Sequence, residues 1–196
     1  MVVRLKTRAD HMEDIAELLV MAQARLNRII RDEIAAGLAS PEIVEKYTPE
    51  ISHVPETNTL RIFIEACPPK ASVGPKTKAY KEVRSLYYML IQDALKKGFD
   101  SGVIPRSRRP LYAGPVVIFI RYHFSDRVNK DVDNFDAKPL IDVLRHSGII
   151  QEDNYKYAKL ILAGTNSTKT GTEVIISDED TFFAKCWNFN TENLHR

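Results

Sequence analysis

Asp131, Asp133, Asp142, Glu152 and Asp153 place five carboxylates, with Lys138 among them, inside a stretch of 23 residues. Asp131-Val132-Asp133-Asn134 is the nucleus of that stretch. On an extended segment side chains alternate with period two, so aspartates at i and i+2 share a face and offer hard oxygen donors side by side. Such a pair suits Mg²⁺ or Mn²⁺, which take one or two protein carboxylates and leave the remaining positions to water and phosphate. An isolated Asp-x-Asp equally suits a turn before a helix, because Asp and Asn favour turns and N-caps. The residues that follow therefore carry the decision.

A helix is predicted directly after the acidic pair, with Asp136 as N-cap and Pro139 in the first turn, where a missing N–H is tolerated. Ala137, Leu140, Ile141 and Leu144 form its buried stripe, and Lys138, Asp142 and Arg145 share a polar face at i, i+4 and i+7. Asp142 is expected to pair with Lys138. Gly148 closes the helix, and Ile149-Ile150 returns to the core so that Glu152-Asp153 comes back beside the first aspartates. Asn134 reads as a turn former.

The elements around this stretch are of mixed type. A strand is predicted over 60–65, ending at Pro68-Pro69, and a loop over 70–76. A helix follows from Thr77 to about Lys97, stopped by Gly98. The nearly continuous apolar run 115–124 is a central strand, with Arg121 and His123 on one face near its end. Strands at 157–163 and 173–177, separated by turn residues, are expected to form an antiparallel hairpin. Residues 48–58 read as a polar connector.

Before it, 8–36 carries a helical stripe of Met12, Ile15, Leu19, Ala22, Leu26 and Ile29, ended by Gly37, and a short helix follows at 41–46. That stripe packs on its own domain or zips against a second copy. The aromatic tail, with Phe182, Phe183, Trp187 and Phe189, is expected to pack back on the protein or onto a partner. The class is α+β: a helical extension over 1–57, a mixed-sheet domain over 58–180 and the tail over 181–196.

The formal charge of +2 conceals an uneven distribution. Residues 61–160 hold 18 Lys and Arg against 11 Asp and Glu, whereas the flanks hold 10 against 15. A basic field around a carboxylate site fits a polyanionic substrate. Arg106, Arg108 and Arg109, in a proline-containing loop, and Arg127 and Lys130, just before the acidic stretch, are the candidate DNA contacts. Cys67 and Cys186 have no metal-ligand spacing and read as free thiols. No apolar leader or membrane-length run is present in the sequence, so the expectation is a cytoplasmic protein without membrane contact.

Asp131-x-Asp133-Asn134, Lys138, Asp142-x-Leu144, Gly148 and Glu152-Asp153 together resemble the signature of the RusA family of Holliday-junction resolvases, and the resemblance extends over about residues 58–177. It implies a RusA-like mixed sheet flanked by helices. It also implies a Mg²⁺-dependent endodeoxyribonuclease that cuts four-way DNA junctions in recombination and repair, working as a homodimer. Asp131, Asp133 and Asp153 would bind the metal and Lys138 would stabilise charge at the scissile phosphate, with Asn134, Asp142 and Glu152 in support. Three features differ from the family pattern. One additional residue stands between Asn134 and Lys138, which turns the lysine by about 100° on a helix unless the turn absorbs it. Glu152 replaces an aspartate, and the first 55 or so residues have no counterpart. Two alternatives accompany this reading: a DNA-binding protein of the same fold without catalysis, and a metal-dependent enzyme on a small phosphorylated substrate.

Overall fold

A computed structural model describes residues 18–19, 21–22, 25–30, 32–33, 36–39, 49–66, 78–105, 109–126 and 130–186. The chain is α+β, with five strands in one mixed sheet and helices packed on it. The strands are β1 (Glu50–Val54), β2 (Thr59–Ile64), β3 (Val116–Phe124), β4 (Ala158–Asn166) and β5 (Gly171–Asp178), in the spatial order β1-β2-β5-β3-β4. Helix α1 (Lys78–Asp100) lies between β2 and β3 in sequence, and α2 (Lys138–His146) joins β3 to its parallel neighbour β4. A parallel pair requires such a crossover, since a tight turn can join only antiparallel strands.

The core lies between one sheet face and the two helices. Leu60, Ile62, Ile118, Ile120, Tyr122, Val174 and Ile176 from the sheet meet Tyr87, Ile91 and Leu95 of α1 and Leu140 and Leu144 of α2 in one buried cluster. The opposite face has an apolar half, where Phe182 seals Val117 and Phe119 against Ile161 and Ile175, and a charged half around Glu173. The predicted return of the aromatic tail therefore holds at Phe182; Trp187 and Phe189 lie outside the described residues.

The central strand, the strand ending at Ile64, and both long helices follow the periodicity of their residues. Several expectations are corrected. The polar connector contains β1, a hairpin arm of β2 whose turn ends on Asn58, a residue that tolerates the left-handed region (φ 44°). The sheet thus begins at Glu50, ahead of the boundary expected at 57. Strands β4 and β5 do not pair with each other but flank β3, parallel and antiparallel respectively. The four residues between them cross the end of β3, where the Ser167 amide donates to the Phe124 carbonyl at 2.8 Å. The largely apolar, mostly buried β3 needs partners on both edges, a demand that the turn residues of 167–170 do not record.

Helix α1 runs through Gly98 instead of stopping there. A Cβ at that position would lie 2.6 Å from Ile104 Cδ1, so this glycine serves a close approach, and the left-handed stop is Gly102 (φ 73°). In the amino-terminal region, helical backbone occurs at 18–19, 21–22, 25–30 and 32–33 and ends at Gly37 (φ 71°). The side turned to the protein carries Met21, Asn27 and Arg28, with Arg28 bonded to Glu82 of α1 at 2.7 Å. Leu19, Leu26 and Ile29 of the expected stripe face outward. The short helix at 41–46 and the loop at 70–76 lie outside the described residues, as do Cys67 and the side chain of Cys186.

Candidate functional site

The acidic nucleus is held by a turn and not by a strand. Asp131 is extended, and Val132–Asn134 then form one 3-10 turn. The extended segment on which Asp131 and Asp133 were expected to share a face is thus replaced by a turn from Val132 on. Val132 packs over the far end of β4, where a Cβ on Gly164 would meet its methyl group at 3.2 Å. That contact fixes the turn against the sheet. Asp131 and Asp133 remain exposed, and Asp131 accepts a 3.4 Å hydrogen bond from Asn134 Nδ2, in keeping with a turn-forming asparagine.

Helix α2 begins one residue later than expected, with Ala137 at the cap position and Pro139 within the first turn. Asp136 still satisfies a free helix-start amide, accepting from Lys138 N at 2.9 Å. Lys138 itself reaches across the helix start. Its ammonium lies 2.7 Å from Asp142 Oδ1, one turn along, and 2.9 Å from Asp153 Oδ2, which the return through Ile149-Ile150 brings back. Lys138 is the first residue of α2, and the return after Gly148 brings Asp153 to its ammonium. Its third N–H has no partner among the described residues, and its side chain is 55% exposed.

Arg145, the third member of the predicted polar face, stands 3.8 Å from Asp153 Oδ1 and 3.7 Å from Glu152. On the inner side, the Tyr80 hydroxyl from α1 donates to Asp142 Oδ2 at 3.1 Å. The electrostatics follow. Hydrogen bonds from Lys138 hold the Asp153 carboxyl below its usual range against the opposing effect of burial. Bonds to Asp142 and Asp153 raise Lys138 above the ordinary lysine value, so it is fully charged at neutral pH.

The predicted set is therefore split. Lys138, Asp142, Asp153, Glu152 and Arg145 form one network; Asp131 and Asp133 sit on the turn that leads into it. By type, the three aspartates are the oxygen donors that a hard divalent cation takes. By position they are not assembled: among the described residues no three His, Cys, Asp or Glu side chains are grouped to hold a metal ion.

Of the candidate DNA contacts, Arg106, Arg108 and Arg127 lie outside the described residues. Arg109 donates to the Ser147 carbonyl at 3.1 Å, capping α2, and stacks over Phe99. Lys130 pairs with Asp126 and lies over the Phe124 ring. Two groups escaped sequence reasoning. Tyr80 reads as one more member of a buried stripe, and nothing in spacing connects it to Asp142, 62 residues away. Glu173, which the sequence marks only as the start of the 173–177 strand, is buried. It accepts from Arg61 at 2.5 Å and Arg121 at 3.1 Å and lies 3.4 Å from His123, which is thus engaged in an ion cluster. The Arg121–His123 pair on one strand face was the available signal for a buried acid.

No protein-family model and no curated protein matches the chain. No described helix is long and apolar enough to cross a membrane.

Proposed function

We propose that the chain is a Mg²⁺- or Mn²⁺-dependent endodeoxyribonuclease of the RusA kind that cuts four-way or otherwise branched DNA. The observation that carries this reading is Lys138, held by Asp142 and Asp153 with one N–H turned to solvent, beside a turn bearing two exposed aspartates. A cation fixed by two carboxylates and open on its third donor is suited to a non-bridging phosphate oxygen. A divalent ion on Asp131, Asp133 and Asp153 would activate water and neutralise charge developing on the phosphate. Arg145 would keep Asp153 in place, and the basic surplus of residues 61–160 would draw the polyanion in. A second copy, on the outward Leu19, Leu26 and Ile29 stripe, would present two such sites to a two-fold junction.

The test is cleavage of a synthetic four-way junction with Mg²⁺ or Mn²⁺, with Asp133→Asn as control. Cutting that persists in the variant or in EDTA overturns the proposal. A second reading, junction binding without catalysis, is favoured by the unassembled carboxylates. Retained junction affinity with no metal-dependent product would establish it. A small phosphorylated substrate is the third reading, and steep loss of DNA affinity with salt counts against it.

A further inference from the structure

We propose that Tyr80 is the positioning residue of the site: seated by the amino-terminal helix, it orients Asp142 and through it Lys138. This inference rests on the nuclease reading for its effect on rate, but its geometry stands by itself. Asp142 uses its two oxygens on two different partners, Oδ2 on the Tyr80 hydroxyl at 3.1 Å and Oδ1 on the Lys138 ammonium at 2.7 Å. A carboxylate engaged at both oxygens cannot rotate about its terminal bond without breaking one of them. A phenol on the far oxygen also leaves the negative charge in place, so Asp142 remains a full counter-ion for the lysine.

Tyr80 is itself well fixed. It is 4% exposed and lies in the first turn of α1, on the α2 side of the sheet. Met21 packs against the Ala79 and Tyr80 pair, and the Arg28–Glu82 ion pair ties the same amino-terminal segment to α1 half a turn further on. Burial together with the Asp142 charge pushes the phenol up to about 12, so it stays a donor throughout the working pH range. The chain of contacts thus runs from Met21 through the Ala79–Tyr80 pair to Asp142, Lys138 and Asp153, and gives the amino-terminal segment a definite task. Its importance is greatest when Asp153 is engaged elsewhere, because Asp142 is then the remaining anchor of Lys138.

The experiment compares wild type, Tyr80→Phe, Lys138→Met and the double variant, with Met21→Ala as a second approach to the same contact. Two readouts are used: single-turnover junction cleavage at saturating protein, and the NMR order parameter of the Lys138 ammonium, which needs no activity. Tyr80→Phe is expected to slow cleavage about tenfold, leave junction affinity and thermal midpoint near wild type, and lower the order of the ammonium. In the Lys138→Met background it should slow cleavage no further. Met21→Ala should lower the order in the same direction. Unchanged rate and order in Tyr80→Phe, or a loss that simply multiplies with that of Lys138→Met, overturns the positioning role; an unchanged order in Met21→Ala overturns the seating by the helix. If wild type cuts no junction, the nuclease reading fails, while the ammonium order still decides this inference.

Discussion

Lys138 and Asp153, fifteen residues apart, meet at 2.9 Å because α2 ends at Gly148 in the left-handed conformation and turns the chain back along its own first turn. The pair makes Asp153 the shared group of the site: it holds the lysine, and on the proposed function it is also a metal ligand. The two roles draw on the same carboxylate.

Lys138→Met therefore separates them. Its cleavage of a junction should fall about a hundredfold or more, as for loss of a charge-stabilising donor. Its affinity for Mn²⁺, measured by titration calorimetry, should rise, because Asp153 loses a competing cation. Stability should change by less than about 1 kcal/mol, since the lysine is more than half exposed. An unchanged Mn²⁺ affinity would remove Asp153 from the ligand set.

Metal binding should also register without DNA. Anything that binds the folded state alone raises the thermal midpoint by mass action. Millimolar Mg²⁺ or Mn²⁺ should raise the midpoint of wild type, EDTA should reverse the rise, and Asp131→Asn should show little of it. A midpoint that rises equally in Asp131→Asn assigns the ion to another place.

Glu173 sets a pH dependence of stability. Burial opposes its ionisation, but hydrogen bonding from Arg61 and the charges of Arg61 and Arg121 outweigh it and hold the carboxyl below its reference value of 4.5. A depressed folded value gives stability that is present above the unfolded pKa and is lost as pH falls through the folded one. Glu173→Gln should cost about 2 kcal/mol at pH 7, less than a wholly buried pair because both arginines are partly solvated. In urea melts, the difference from wild type should narrow once the pH drops below about 4.5. A constant difference down to pH 3 would mean that the cluster does not stabilise through charge.

Gly171 tests the strand order. A Cβ there would stand 2.7 Å from the Ile64 carbonyl of β2 and 2.7 Å from the Phe63 ring, both consequences of β5 lying beside β2. Gly171→Ala should destabilise by about 1–3 kcal/mol, as overpacking against backbone does. Neutral substitution would place β5 elsewhere.

The local elements were legible in the residues. The apolar run of β3, the helical stripe of α1 and the Lys138–Asp142 spacing on α2 each depend on neighbours within a few positions, and periodicity reports such relations directly. The return of the chain after Gly148 was legible too, because one short helix and one glycine set it, but its end point was not: Asp153 was expected beside Asp131 and Asp133 and instead bonds Lys138. Strand order was not: a turn between β4 and β5 shows that the chain reverses, but the competition of β3 for both neighbours is settled only when all strands are present. The same holds for the direction of the amino-terminal stripe, for burial of Glu173 among Arg61, Arg121 and His123, and for Tyr80 on Asp142. The sequence by itself determined which side chains carry charge and which short segments form helix or strand, because those are properties of near neighbours. Only the tertiary structure decided which charges meet, because that depends on packing between segments tens of residues apart, where spacing along the chain holds no distance information.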